Sequence, residues 1–360
     1  MDMAAVRHAV GAVTVPRLRR TLDQLGLVAA VDDAGGGKVR VALEVPEGVE
    51  PAGALEEAVA AAVRAAGASG AEAVTRPMDT AAQEALVARI RAERPVRPGA
   101  PGSRTRVISI SSGKGGVGKS SVAANTAVAL AGSGHDVAVL DADVWGFSIP
   151  RMLGVQEPPT VVGGLIVPAA AHGVRVISMD FFVPPDQAVI WRGPMLHKAL
   201  EQFLDEVWWD EPEFLLLDLP PGTGDVPISL SQFVPDALTI VVTTPQPTAQ
   251  RVARRAALMA VKMGQEVAGV VENMSWFTGD DGKRYEIFGA GGGQALAAEL
   301  EVPLLGQVPL LPALREGADR GAPVALAAAG SEAAQAFDVI AGRVAALRPR
   351  VRRRAELAID

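Results

Sequence analysis

The chain has 360 residues, no cysteine, 49% hydrophobic residues and a formal net charge of −7. That length suffices for two or three domains with buried cores, and the lack of cysteine excludes disulfides, a thiol nucleophile and thiolate metal ligation by this chain. The acidic balance argues against a broad nucleic-acid surface, and the apolar runs, broken by Asp, Gly or Pro, include no membrane span.

The opening MDMAAVRHAV has no basic region and no long apolar core, so it is no signal peptide and cytoplasmic residence is expected. Residues 1–92 are expected to form a small α/β domain. AVRHAVGAV and LRRTLDQLG have helical spacing, VRVALEVPEG (Val39–Gly48) alternates like a strand, ALEEAVAAAVRAAGA is a helix and EAVTRP a short strand. TAAQEALVARIRAER continues as a helix with Asp79 or Thr80 as its N-cap. A linker over 93–105 contains the Pro/Gly run PVRPGAPGSRT.

The second domain is expected over 106–347. VISIS, DVAVLDAD, VRVISM, FLLLDLP, LTIVVTTP, VAGVVENM and PLLGQVP are apolar strand candidates, most separated by helical segments. That alternation predicts an α/β fold with a doubly wound, mostly parallel sheet, in which ligands bind at the carboxyl ends of the strands. Residues 348–360 form a tail with five arginines within seven residues, either solvated or set against an acidic partner. His8, His135, His172 and His197 form no metal-spacing pair.

Residues 113–120 read GKGGVGKS and fit the phosphate-binding loop G-x-x-x-x-G-K-[ST]. Gly113, Gly115, Gly116 and Gly118 leave backbone N–H groups open to a phosphate. Lys119 can reach the β- and γ-phosphates, and Ser120 can sit on Mg²⁺. With Val117 and Ser121 these residues are the candidate ATP contacts, between the strand VISIS and an Ala-rich helix whose N-terminus would lie under the phosphates. Lys114 is a lysine that an ordinary phosphate loop does not need.

Asp141 and Asp143 close the second strand, where one can face Mg²⁺ and the other an attacking water. FLLLDLPPGTGD ends an apolar strand in Asp218, placed to hold Mg²⁺, and its Pro-Pro-Gly turn makes the Gly222 N–H a candidate γ-phosphate sensor. Asn273, at the end of VVEN, can pair with a base edge or form a turn.

KGGVGKS resembles the deviant phosphate loop of the MinD/ParA/Mrp class of P-loop ATPases, and LDADVWGFSIP, VIWRGPM, LDLPPGTGD and ENMS with IFGAGGG resemble Mrp/ApbC-type ATPases over about 105–345. That family is implicated in carrying iron–sulfur clusters. The resemblance implies ATP and Mg²⁺ as cofactors and a homodimer across ATP, with apoproteins or iron–sulfur assembly proteins as partners. It implies Lys114, Lys119 and Asp143 as catalytic residues, with Lys114 completing the partner subunit's site. Ser120, Asp141 and Asp218 would serve Mg²⁺, and Asn273 would read adenine. Trp191 and Met195 are assigned to packing or dimer contacts. The first domain resembles the MIP18-like domain of iron–sulfur assembly proteins, with Val15-Pro16-Arg17-Leu18 in place of D-P-E-L and without its reactive cysteine.

The chain departs from the family in one stretch. Most relatives carry a C-x-x-C pair that ligates a bridging cluster, whereas Trp276–Glu286 here reads WFTGDDGKRYE, with a hairpin-type turn expected at Gly279–Gly282. Iron–sulfur ligands are therefore none, since aspartate is a poor substitute for thiolate. Three roles remain open: cluster delivery using a partner's ligands, a cluster-free switch for a protein partner, or a MinD- or ParA-like positioning protein. The short Arg-rich tail and the net charge disfavour the third.

Overall fold

The computed structural model describes residues 2–50, 53–92, 96–183 and 192–349. Trp191 and the arginines beyond residue 349 lie outside the described residues. The chain divides into two compact units.

The first unit comprises Met1–Pro95 together with Glu157–Ala169 and Glu206–Asp210, so two segments from inside the span 106–347 belong to it. Its three-stranded sheet runs Val28–Gly35, Lys38–Val45, Gly70–Pro77, the first pair antiparallel and the second parallel. Helices Met3–Gly11, Ala54–Ala65 and Thr80–Ala92 supply Val6, Val59 and Leu86 to a core shared with Val39, Val41 and Trp208. The Asp79 carboxylate accepts from the Ala82 N–H at 2.8 Å and starts the third helix.

The helix expected over LRRTLDQLG does not form as one piece. Arg20–Thr21 pairs antiparallel with Thr14–Val15, and only Leu22–Leu25 is helical. Thr21 is the reason: its side chain and that of Gln24 form a capping box that starts a new turn, which Gly26 stops at φ +62°. The strand Val28–Gly35 was not anticipated because only its first half is apolar. Arg17, buried in this unit, donates to the carbonyls of Gly48 at 2.7 Å, Pro158 at 2.9 Å and Pro168 at 3.1 Å. The residue at the D-P-E-L-like position is thus a structural clasp: a guanidinium's fixed fork of donors spends itself on backbone acceptors.

The second unit holds an eight-stranded sheet. Its order is Ala169–Ala171, Val174–Ser178, Val137–Asp141, Phe214–Asp218, Arg106–Ser112, Leu238–Thr243, Glu266–Glu272, Leu304–Gln307. From Val174–Ser178 onward, neighbouring strands pair in parallel. The predicted α/β class and doubly wound sheet are what forms. Val137–Asp141, Phe214–Asp218 and Leu238–Thr243 are buried along their whole lengths, as strands covered on both faces must be. The helix Lys119–Gly132 buries ten of its residues, chiefly small ones, against the sheet and the helix Glu332–Ala346. Among the described residues no helix is long and apolar enough to cross a membrane.

Candidate nucleotide-binding site

The central strands Arg106–Ser112 and Phe214–Asp218 are neighbours, and Phe214–Asp218 also pairs with Val137–Asp141 in a register that sets Asp218 opposite Asp141. The loop from Gly113 to Gly118 follows directly and feeds the helix Lys119–Gly132. Two of its glycines, Gly113 and Gly118, are sterically required. A Cβ on Gly113 would lie 2.1 Å from the backbone carbonyl carbon of Val252, and one on Gly118, at φ +79°, would lie 2.2 Å from Asn273 Nδ2. Neither approach admits another residue.

Lys119 and Ser120, in the first turn of that helix, converge on one carboxylate. Lys119 Nζ donates to Asp218 Oδ1 at 2.6 Å, and Ser120 Oγ donates to Asp218 Oδ2 at 2.6 Å. Asp143 Oδ2 lies 3.4 Å from the same ammonium. Lys119, Asp143, Asp141 and Asp218 are all buried, the last two completely. An isolated charge at such depth would be prohibitively costly, so the lysine is stable there because carboxylates surround it.

Asp141 sits behind this cluster. Its carboxylate accepts from the N–H groups of Asp143 and Ser148, each at 3.2 Å, from Ile149 N–H at 3.3 Å and from Ser178 Oγ at 3.1 Å. Burial, then the neighbouring Asp218 charge, pushes its carboxyl up to about 7, against the pull of Lys119 and these hydrogen bonds. Burial also raises Asp218, while Lys119 and Ser120 oppose the rise.

A cavity of about 600 Å³ opens over the loop, lined by Lys114, Gly116, Lys119, Ser120, Asp143 and Trp145 among others. Ser121 lines it too. Asp143 Oδ1 is buried with no hydrogen-bond partner among the described residues. A hydroxyl and carboxylates are hard oxygen donors, and Mg²⁺ is held by one or two such protein groups plus phosphates and water. The residues present therefore fit Mg²⁺. Among the described residues no three His, Cys, Asp or Glu side chains group to hold a metal on their own.

The remaining candidates are placed differently. The Gly222 N–H donates to the Ser112 carbonyl at 2.9 Å; in this conformation it is committed to backbone and not free for a phosphate. Asn273 is buried beneath the loop, its amide donating to the Val117 carbonyl at 2.9 Å, and it does not line the cavity. It braces the loop here. Lys114 Nζ reaches Gln246 Oε1 of its own chain at 3.4 Å. Ser148, Ser178 and Trp145 were given no role from sequence. Trp145, 72% exposed at the rim of the cavity, lies within LDADVWGFSIP, whose letters assign it no chemistry.

The cysteine-free stretch forms a hairpin, Phe277–Thr278 pairing antiparallel with Arg284–Tyr285. Glu332 holds it, accepting from Trp276 Nε1 at 2.9 Å, Thr278 Oγ1 at 2.8 Å and Arg284 Nη2 at 2.6 Å.

The family model for the NUBPL iron-transfer P-loop NTPase, of the ParA group, matches residues 103–345. An iron–sulfur cluster carrier protein of Mycobacterium bovis is 46% identical over 341 residues, covering 91% of this chain and 89% of the relative. A nucleotide-binding protein of Archaeoglobus fulgidus, solved in complex with ADP, superposes with a TM-score of 0.53 at 33% identity, over 61% of this chain and 87% of that one. The cell division ATPase MinD of Pyrococcus furiosus gives a TM-score of 0.51 at 24% identity, over 67% of this chain and 98% of that one, a likeness of fold alone.

Proposed function

Since the chain belongs to the family of iron-transfer P-loop NTPases related to the Mrp/ApbC-type iron–sulfur carriers, we propose that this cysteine-free ATPase is a dimeric, ATP-driven switch serving iron–sulfur cluster assembly without ligating a cluster itself. The observation that carries the switch is the convergence of Lys119 and Ser120 on Asp218. Both are positioned by the first turn of one helix, whose N-terminus favours negative charge.

In this reading Lys119 exchanges Asp218 for the β- and γ-phosphate oxygens when ATP binds. Ser120, Asp218 and Asp141 would hold Mg²⁺, which would supply neutralisation of charge on the phosphates. Asp143, with its unpartnered oxygen, orients the water that attacks the γ-phosphorus in line. Loop N–H groups from Gly115 to Ser121 cradle the phosphates, and Gly222 becomes a donor only if its turn leaves Ser112. Lys114 acts in trans, in a second copy of the chain across ATP.

The chain has no cysteine. This favours an adaptor that uses the ligands of an apoprotein or assembly partner over a carrier with its own. The proposed setting is the cytoplasm, where a chain without disulfides is at no disadvantage. Lys119→Ala should lower ATP hydrolysis by at least about 100-fold, given the scale of losing one electrostatic stabiliser; full activity would sink the site assignment. Anaerobic iron–sulfur reconstitution should leave the chain without a stoichiometric cluster by iron analysis, and a stable cluster would overturn the adaptor reading.

A further inference from the structure

The helix Pro247–Lys262 has a face that the ATPase reading does not use. Its alanines, among them Ala253, Ala257 and Ala260, are buried against the sheet. On the opposite side Arg251, Arg255, Leu258 and Lys262 follow at steps of four, three and four, all exposed. That spacing lines them in one stripe along the helix. Leu258 is 46% exposed and Val261, beside the stripe, 56%. Arg254 pairs with Glu299. Arg251, Arg255 and Lys262 meet no acidic partner among the described residues.

Two like charges one turn apart repel, and two apolar side chains between cations stand in water. An acidic, amphipathic surface laid on the stripe would relieve both. We propose that this stripe is a docking surface for an acidic amphipathic helix of a partner protein, whose carboxylates meet Arg251, Arg255 and Lys262 and whose apolar side chain meets Leu258 and Val261. A lipid surface fits less well, because the apolar face of this helix is already spent on the protein core. A nucleic acid fits less well too: the chain carries a net charge of −7, and Leu258 and Val261 put apolar surface beside the cations.

The position gives such docking a consequence. The Val252 backbone abuts Gly113 so closely that no Cβ fits between them. Gln246, one residue ahead of the helix, holds Lys114. A partner seated on the outer face therefore bears on the wall behind the phosphate loop. That coupling rests on the ATPase reading; the docking does not.

The test measures anisotropy of a labelled synthetic helix of about 20 residues, with Glu and Leu at the matching spacing, titrated with the full chain in the absence of nucleotide. A twin with Lys for Glu is the control. The wild type should bind the Glu helix at least ~10-fold more tightly than its twin, in line with charge complementarity across an interface. R251E/R255E should reverse that preference, and Leu258→Ser should weaken the Glu helix severalfold. R251Q/R255Q, which removes charge without adding any, should abolish the preference even if the reversed variant folds poorly. Equal affinity for the two helices would overturn the proposal. So would variants that bind like wild type, or displacement of the Glu helix by phosphatidylglycerol vesicles or duplex DNA. Because binding is read without nucleotide, an inactive ATPase would sink the proposed function while leaving this result interpretable.

Discussion

Asp141 is fully buried among other charges. Its folded pKa of about 7 stands above the ordinary 3.8, because burial and Asp218 penalise its charge more than Lys119 and four hydrogen bonds favour it. The folded protein thus keeps a proton that the unfolded chain has already released. The stability this group contributes is fully present below about pH 4 and is lost as pH rises towards about 7. At about 1.4 kcal/mol per pH unit, that loss is of order 4 kcal/mol. Without nucleotide, urea unfolding of the wild type should weaken relative to Asp141→Asn by a few kcal/mol between pH 4 and pH 8. A gap between the two proteins that does not change with pH would refute the assignment. Burial raises Asp218 as well, so it adds to the slope of the wild type. Asn273 shows the limit of single-residue inference. Its place at a strand end was legible, but its amide turns to the Val117 carbonyl, a partner 156 residues away in sequence that spacing cannot reveal.

The hairpin at Trp276–Tyr285 makes a prediction at the scale of the element. Three donors converge on Glu332, and the Arg284 guanidinium lies 4.2 Å over the Trp276 ring. Glu332→Ala strands those donors at a cost of about 1–2 kcal/mol. Amide exchange over 277–285 should then accelerate by roughly tenfold, the local equivalent of that cost. Unchanged exchange would mean the hairpin stands by itself. The turn was legible from Gly-Asp-Asp-Gly; its clamp was not, because Glu332 arrives from a helix far along the chain. The same asymmetry runs through the site. Gly113 to Ser121 is one contiguous run, so glycine steric needs and the lysine's reach are visible in the letters. Ser178 touches Asp141 because parallel register sets the two strand ends side by side, and Ser148 because the loop after that strand turns its N–H back onto the carboxylate. In the first unit, Thr21 broke an expected helix by capping its own turn. The segments Glu157–Ala169 and Glu206–Asp210 join that unit though the sequence around them alternates as the ATPase sheet does.

At the scale of the whole molecule, the proposed role of Lys114 is to complete the site of a second copy. In one chain its ammonium rests on Gln246, 3.4 Å away, whereas Lys119 is already enclosed by Asp218 and Asp143. In the proposed reading Lys119 is the in-chain lysine for a phosphate in the loop, which leaves Lys114, half-buried at the lip of the cavity, for a second copy. A role in trans predicts separate losses. Lys114→Ala should bind ATP as a monomer with a Kd within about threefold of wild type, since an amide contact at the lip contributes little. It should fail to show the ATP-dependent doubling of mass in sedimentation, and hydrolysis should fall by about 100-fold or more, as for removal of a transition-state cation. Mixing it with Lys119→Ala discriminates further. If each lysine serves a different subunit's site, a mixed dimer places the intact Lys114 of one chain against the intact Lys119 of the other, and about one site per dimer recovers. If both lysines serve the same chain, neither subunit of the mixture has a complete set, and activity stays at the level of the separate variants.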